Sequence, residues 1–154
     1  MPLLLTGAAL LVVLLFALPR CVRHRPAPAV LASWTLTPGV LNPDVTQDEI
    51  GKTICVRGWT RTIRPPSDYT TRLKLEQLRA YGLVGAPGDF QEDHLISLEL
   101  GGDPTDPRNL WPEPYPRAAE VDRIENDLNA AVCSGRMTLA DAQRRESVLK
   151  HTQG

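Results

Sequence analysis

The chain has 154 residues, 42% of them apolar and 23% charged, with 14 Pro, 11 Gly and a formal net charge of −1 at pH 7. That length holds one domain of ordinary size and excludes a TIM barrel, a full dinucleotide fold or a kinase. The near-neutral charge excludes a basic nucleic-acid coat over the whole chain.

Residues 2–18 (PLLLTGAALLVVLLFAL) carry no charge, and Arg20, Arg23, His24 and Arg25 follow directly. As a helix this run spans roughly 25 Å against a hydrocarbon core of about 30 Å, so it reads as an atypical export signal or a short membrane anchor. The trailing positive charges favour a cytoplasmic flank. Residues 19–33, with Pro26 and Pro28, read as an extended tether, and the domain is expected over 34–150.

Within the domain, 51–79 carries Lys52, Arg57, Arg61, Arg64, Arg72, Lys74 and Arg79 against Asp68 and Glu76, whereas 80–127 is strongly acidic. A turn of helix is expected over Asp44–Ile50. The run Lys52–Ile63 (KTICVRGWTRTI) predicts one or two strands broken at Gly58 and stopped by Pro65-Pro66. Ser67 or Thr70 caps a helix to about Tyr81, ended by Gly82. Asp93–Leu98 predicts a short strand. Gly101-Gly102 and the stretch 103–108 form a loop, which Asn109 closes. Pro112, Pro114 and Pro116 keep the next residues extended, and an amphipathic helix is expected over Arg117–Val132. After Gly135, Thr138 and Asp141 cap a last helix to about Leu149. The expected class is α+β, with strands and helices preceding the hairpin.

Cys55 and Cys133 lie 78 positions apart with no zinc-type spacing. They are either a disulfide or two buried thiols. The disulfide is the expectation, and it favours a compartment outside the cytoplasm, secreted or membrane-anchored, against the charge bias of the leader.

Asp93-His94 is the first candidate for chemistry. Asn109 stands fifteen residues after His94, and Asp122 thirteen after Asn109. Hairpin closure brings Asn109 back beside the strand, and the following helix lays Asp122 across the site. Asp93 and Asp122 offer oxygen ligands to a hard divalent cation, and His94, with an ordinary pKa near 6.5, suits proton abstraction from water.

The run EDHLISLELGGDPTDPRNLWPEPY resembles the core of the HNH, or ββα-metal, endonuclease superfamily, in a branch of small exported bacterial proteins. The resemblance implies a hairpin-and-helix metal-site core over 92–132. In it Asp93 binds the metal, His94 is the general base for phosphodiester cleavage, and Asn109 braces the loop and orients the histidine. The helix ligands of the His-rich branch fall on Ala118 and Asp122. Ala118 has no donor atom, which leaves that position to water or to Glu125. Oxygen ligands favour Mg²⁺ or Mn²⁺ over Zn²⁺.

The expected function is therefore metal-dependent hydrolysis of DNA or RNA, with Arg61 and Lys74 as candidates for holding the nucleic-acid backbone. The alternative is an inactive HNH-like envelope domain with a structural or partner-binding role. Residues 2–18 would contact a membrane if uncleaved.

Overall fold

A computed structural model describes residues 30–153. The apolar leader, most of the tether and the expectations attached to them lie outside the described residues. Among the described residues no helix is long and apolar enough to cross a membrane.

The described chain is α+β. Strands β1 (Phe90–His94) and β2 (Leu110–Pro114) form one antiparallel pair, in a register running from Phe90 opposite Pro114 to His94 opposite Leu110. Four helices surround it: α1 (Trp59–Ile63), α2 (Ser67–Ala80), α3 (Tyr115–Cys133) and α4 (Leu139–Thr152). Helices α2 and α3 both pack on the hairpin, and α4 packs on α3.

The helices start and stop where local chemistry dictates. Pro65 and Pro66 end α1, and α2 then begins at Ser67 with Asp68 in its first turn. Gly82, at φ +64°, takes the left-handed turn that closes α2. The Thr138 hydroxyl accepts from the backbone N–H of Asp141 at 3.1 Å and so caps α4. Along α3 the buried positions are Ala118, Val121, Glu125, Leu128 and Val132, a stripe at helical spacing. Along α4 they are Leu139, Ala142, Glu146, Lys150 and His151.

Two expectations are corrected. Residues 52–63 form no strand: a 3-10 turn over Ile50–Lys52 leads through turns to α1, and before β1 the described residues contain only an isolated bridge between Leu41 and Gly102. Ile50, Ile54, Cys55 and Trp59 meet the core at four- and five-residue intervals, so the apparent alternation marks consecutive turns rather than a pleated edge. The strand expected over Asp93–Leu98 instead ends at His94, and the chain bends through Leu95 and Ile96 into a second 3-10 turn, Leu98–Leu100. Residues ahead of 34 also pack on the domain. Ala32 is buried, and its N–H donates to the carbonyl of Lys150 at 3.0 Å.

The Gly-Gly loop has a steric cause. A Cβ on Gly102 would stand 1.8 Å from the Ile96 carbonyl oxygen and 2.6 Å from Asn109 Nδ2. Asn109 fills the space beside it, fully buried. Its Oδ1 accepts from Ile96 N at 3.0 Å, and its Nδ2 donates to the carbonyls of Ile96 at 3.0 Å and Asp103 at 2.9 Å. Asn109 thereby closes the loop as expected.

The main core gathers Val45, Ile54, Ile96, Leu100, Leu128, Val132, Leu139 and Ala142. The Cys55–Cys133 disulfide, with Cα atoms 5.5 Å apart, ties the early turns to the end of α3 at this core. Closing so long a loop restricts the unfolded chain by about 4 kcal/mol. Replacing both cysteines by serine is expected to lower the unfolding free energy by about 2–4 kcal/mol in a urea titration. A loss below about 0.5 kcal/mol would show that the bond adds nothing to the constraint already supplied by packing.

Candidate functional site

A cleft of about 300 Å³ opens where the end of β1 meets α3. Its walls are Arg64, Gln91, Asp93, His94, Ser97, Leu98, Glu99, Asp122, Glu125 and Asn126. Adjacent strand residues normally face opposite sides of a sheet. Asp93 and His94 share the cleft because they are the last two residues of β1, where the chain is already leaving the sheet.

His94 is buried, and its Nε2 lies 3.1 Å from the carbonyl oxygen of Pro104. A carbonyl only accepts, so Nε2 carries the hydrogen and Nδ1 of the neutral ring keeps the lone pair. Burial holds the His94 pKa below its ordinary value, and the Pro104 carbonyl and Asp93 only partly offset this. The imidazole is therefore neutral at pH 7, the state a general base requires.

Behind the cleft lies a buried ion cluster. Lys150 Nζ donates to Asp93 Oδ2 at 2.8 Å, to Glu125 Oε1 at 2.6 Å and to the His94 carbonyl at 2.5 Å, with Glu146 Oε1 at 3.5 Å. Glu146 in turn accepts from Ser97 N through both carboxylate oxygens, at 2.9 and 3.0 Å. Burial opposes the Lys150 charge, but the surrounding carboxylates outweigh it and hold the pKa well above the usual lysine range. Burial also pushes Asp93 up, and Lys150 overrides it, so Asp93 stays ionised. The other acids go the opposite way. Burial raises Glu125, and it raises Glu146 strongly. Glu113, fully buried on β2, is pushed up to about 9 by burial and by the charge of Asp93.

At the open side, burial and the charge of Asp93 raise Asp122, and burial and Asp122 raise Glu99. Arg64 opposes both shifts. Four carboxylates and one guanidinium line this cleft. Among the described residues no three His, Cys, Asp or Glu side chains converge as a ready-made metal cage. The residues that could hold a cation here are Asp93 and Asp122; Mg²⁺ is commonly held by one or two carboxylates and keeps several waters. Burial is the larger cause of the Asp122 shift, and a cation among these acids would relieve the part that comes from the charge of Asp93.

The structure thus brings Asp93, His94 and Asp122 to one cleft, with Asn109 bracing the loop behind them. Ala118 is buried and lies outside the cleft lining, whereas Glu125 lines it. Arg61 is exposed and Lys74 donates to the Phe90 carbonyl at 2.9 Å; neither lines the cleft, and the basic side chain that does is Arg64. Sequence reasoning missed Lys150, Glu146 and Glu113. A signal existed for the first two: charged residues four apart on the inward stripe of α4. Glu125 interrupts the α3 stripe in the same way.

Comparisons with protein-family models, with curated proteins and with solved structures find no match for this chain.

Glu113 supplies a test of the electrostatics. Its folded pKa of about 9 lies above the ordinary 4.5, so the folded state keeps a proton that the unfolded chain has lost. Stability from this group is complete below pH 4.5 and falls as pH rises toward about 9. Glu113→Gln, which mimics the protonated acid, is expected to match the parent at pH 4 and to exceed it by about 1–3 kcal/mol at pH 8. Thermal unfolding across that range checks this, and parallel profiles for the two proteins would contradict it.

Proposed function

We propose that the protein hydrolyses phosphodiester bonds of DNA or RNA with the help of a divalent cation, as an HNH-like nuclease. The observation that carries this reading is the meeting of Asp93, neutral His94 and Asp122 on one cleft, with Nε2 of His94 tied to the Pro104 carbonyl. A cleft with this excess of acids repels a polyanion unless a cation sits among them.

Asp93 and Asp122 would hold Mg²⁺ or Mn²⁺, with water completing the coordination, and their oxygen donors match these ions better than Zn²⁺. The bound cation supplies charge stabilisation at the transferring phosphoryl group and the leaving oxygen. His94 Nδ1 accepts a proton from water as the water oxygen bonds to phosphorus. The bond from phosphorus to the leaving oxygen breaks, and that oxygen takes a proton from solvent. Arg64, on the cleft wall, holds a non-bridging phosphate oxygen, while Arg61 and the neighbouring basic residues of 51–79 guide the backbone. The disulfide supports work in an oxidising compartment outside the cytoplasm.

The engagement of Asp93 Oδ2 by Lys150 favours a second reading, an inactive HNH-like domain with a structural or partner-binding role. Cleavage of plasmid and single-stranded nucleic acid by the full chain separates the two. Activity is expected with Mg²⁺ or Mn²⁺ and is lost in EDTA. His94→Ala is expected to lower turnover by about 10³-fold with metal binding nearly intact. Asp122→Asn weakens metal binding and activity together, and Arg64→Ala mainly raises KM. A folded parent protein that cleaves nothing with any divalent ion ends the hydrolytic reading.

A further inference from the structure

Lys150 stands fully buried on α4, in a stripe otherwise begun by Leu139 and Ala142. An apolar side chain there would complete the core, and a buried ion pair is weak evidence for stability in itself. The geometry gives the charge a more particular use. The three ammonium hydrogens meet three close acceptors: Asp93 Oδ2, Glu125 Oε1 and the His94 carbonyl. All three belong to residues that line the cleft. Each carboxylate gives the ammonium one oxygen, and each meets a further acid as well, Glu125 with Glu146 and Asp93 with Glu113. For Asp93 the remaining oxygen, Oδ1, lies 3.3 Å from Nε2 of Gln91, itself a wall of the cleft.

We infer that Lys150 is a positioning residue for the cleft, an internal cation that holds one oxygen each of Asp93 and Glu125 and the backbone of His94, so that these residues keep the places on the cleft wall from which Asp93 would meet a divalent cation. This rests on the proposed hydrolytic reading and deepens it. Lys150 is sealed from solvent. It joins α4 to the end of β1 and to the middle of α3, the two elements whose side chains must meet. Glu146, one turn back on α4 and bonded to Ser97 N, fixes the loop beyond His94 from the same side.

The test uses Lys150→Met, which keeps most of the length of the side chain, ending one atom short of the ammonium, and removes its charge. Two effects on metal affinity have opposite signs. Loss of a positive charge behind the acids by itself tightens binding of a divalent cation. Loss of orientation weakens it. A positioning role predicts Mn²⁺ binding to the folded variant weaker by about tenfold or more in calorimetry, with kcat lowered far more than KM is raised. Affinity that is unchanged or tighter, with kcat retained, overturns the proposal and leaves Lys150 as a structural counter-charge. The parent protein supplies a measurement that needs no variant. Titration with Mg²⁺ is expected to move the NMR signal of the Lys150 ammonium, because cation and ammonium share Asp93. An unmoved signal in a protein that binds Mg²⁺ and cleaves overturns this inference alone. No Mg²⁺ or Mn²⁺ binding at all overturns it together with the metal-dependent reading.

Discussion

The contact between Lys150 and the end of β1 is the constraint around which the rest of the molecule is arranged. A fully buried ammonium loses its hydration, and such a charge persists only where acceptors replace water on every side. Asp93, Glu125 and the His94 carbonyl do this, with Glu146 just beyond. The cluster fixes three elements at once. Strand β1 must end near α4, α3 must cross at Glu125, and the loop after His94 must pass where Ser97 meets Glu146.

From that constraint the cleft follows. With Asp93 held from behind and His94 tied to Pro104, the two adjacent side chains face common space despite the alternation of a strand. Asn109 and the Cβ-free Gly102 let the returning loop lie close enough to hold the bend. Burial, which keeps His94 neutral, and the repulsion among Asp93, Asp122 and Glu99 are electrostatic results of this packing. A neutral base beside crowded acids is a combination suited to water activation near a bound cation.

Much of this was legible in the sequence. The spacing of Asp93-His94, Gly101-Gly102, Asn109 and Asp122 gave the hairpin, its brace and the helix that crosses it, because each rests on short-range chemistry. The two cysteines gave the disulfide. Residues 52–63 misled because β-branched and aromatic side chains at core-facing turns imitate the alternation of a strand. Lys150 and Glu146 were hidden for a different reason. On a helix rich in charge, two more charged residues look solvated, and only the tertiary fold shows that Leu139, Ala142, Glu146 and Lys150 share the inward side. Their partner Asp93 lies 57 positions away, beyond any local pattern.

The central claim is that this packing presents His94 as a neutral base with its lone pair on Nδ1. Nitrogen NMR of the full chain labelled at histidine measures it directly, with the His94 signals assigned by comparison with His94→Gln. The expected result is a neutral ring with hydrogen on Nε2 at pH 7, titrating below the ordinary 6.5. A His94 that is doubly protonated at pH 7, or that carries its hydrogen on Nδ1, would contradict it.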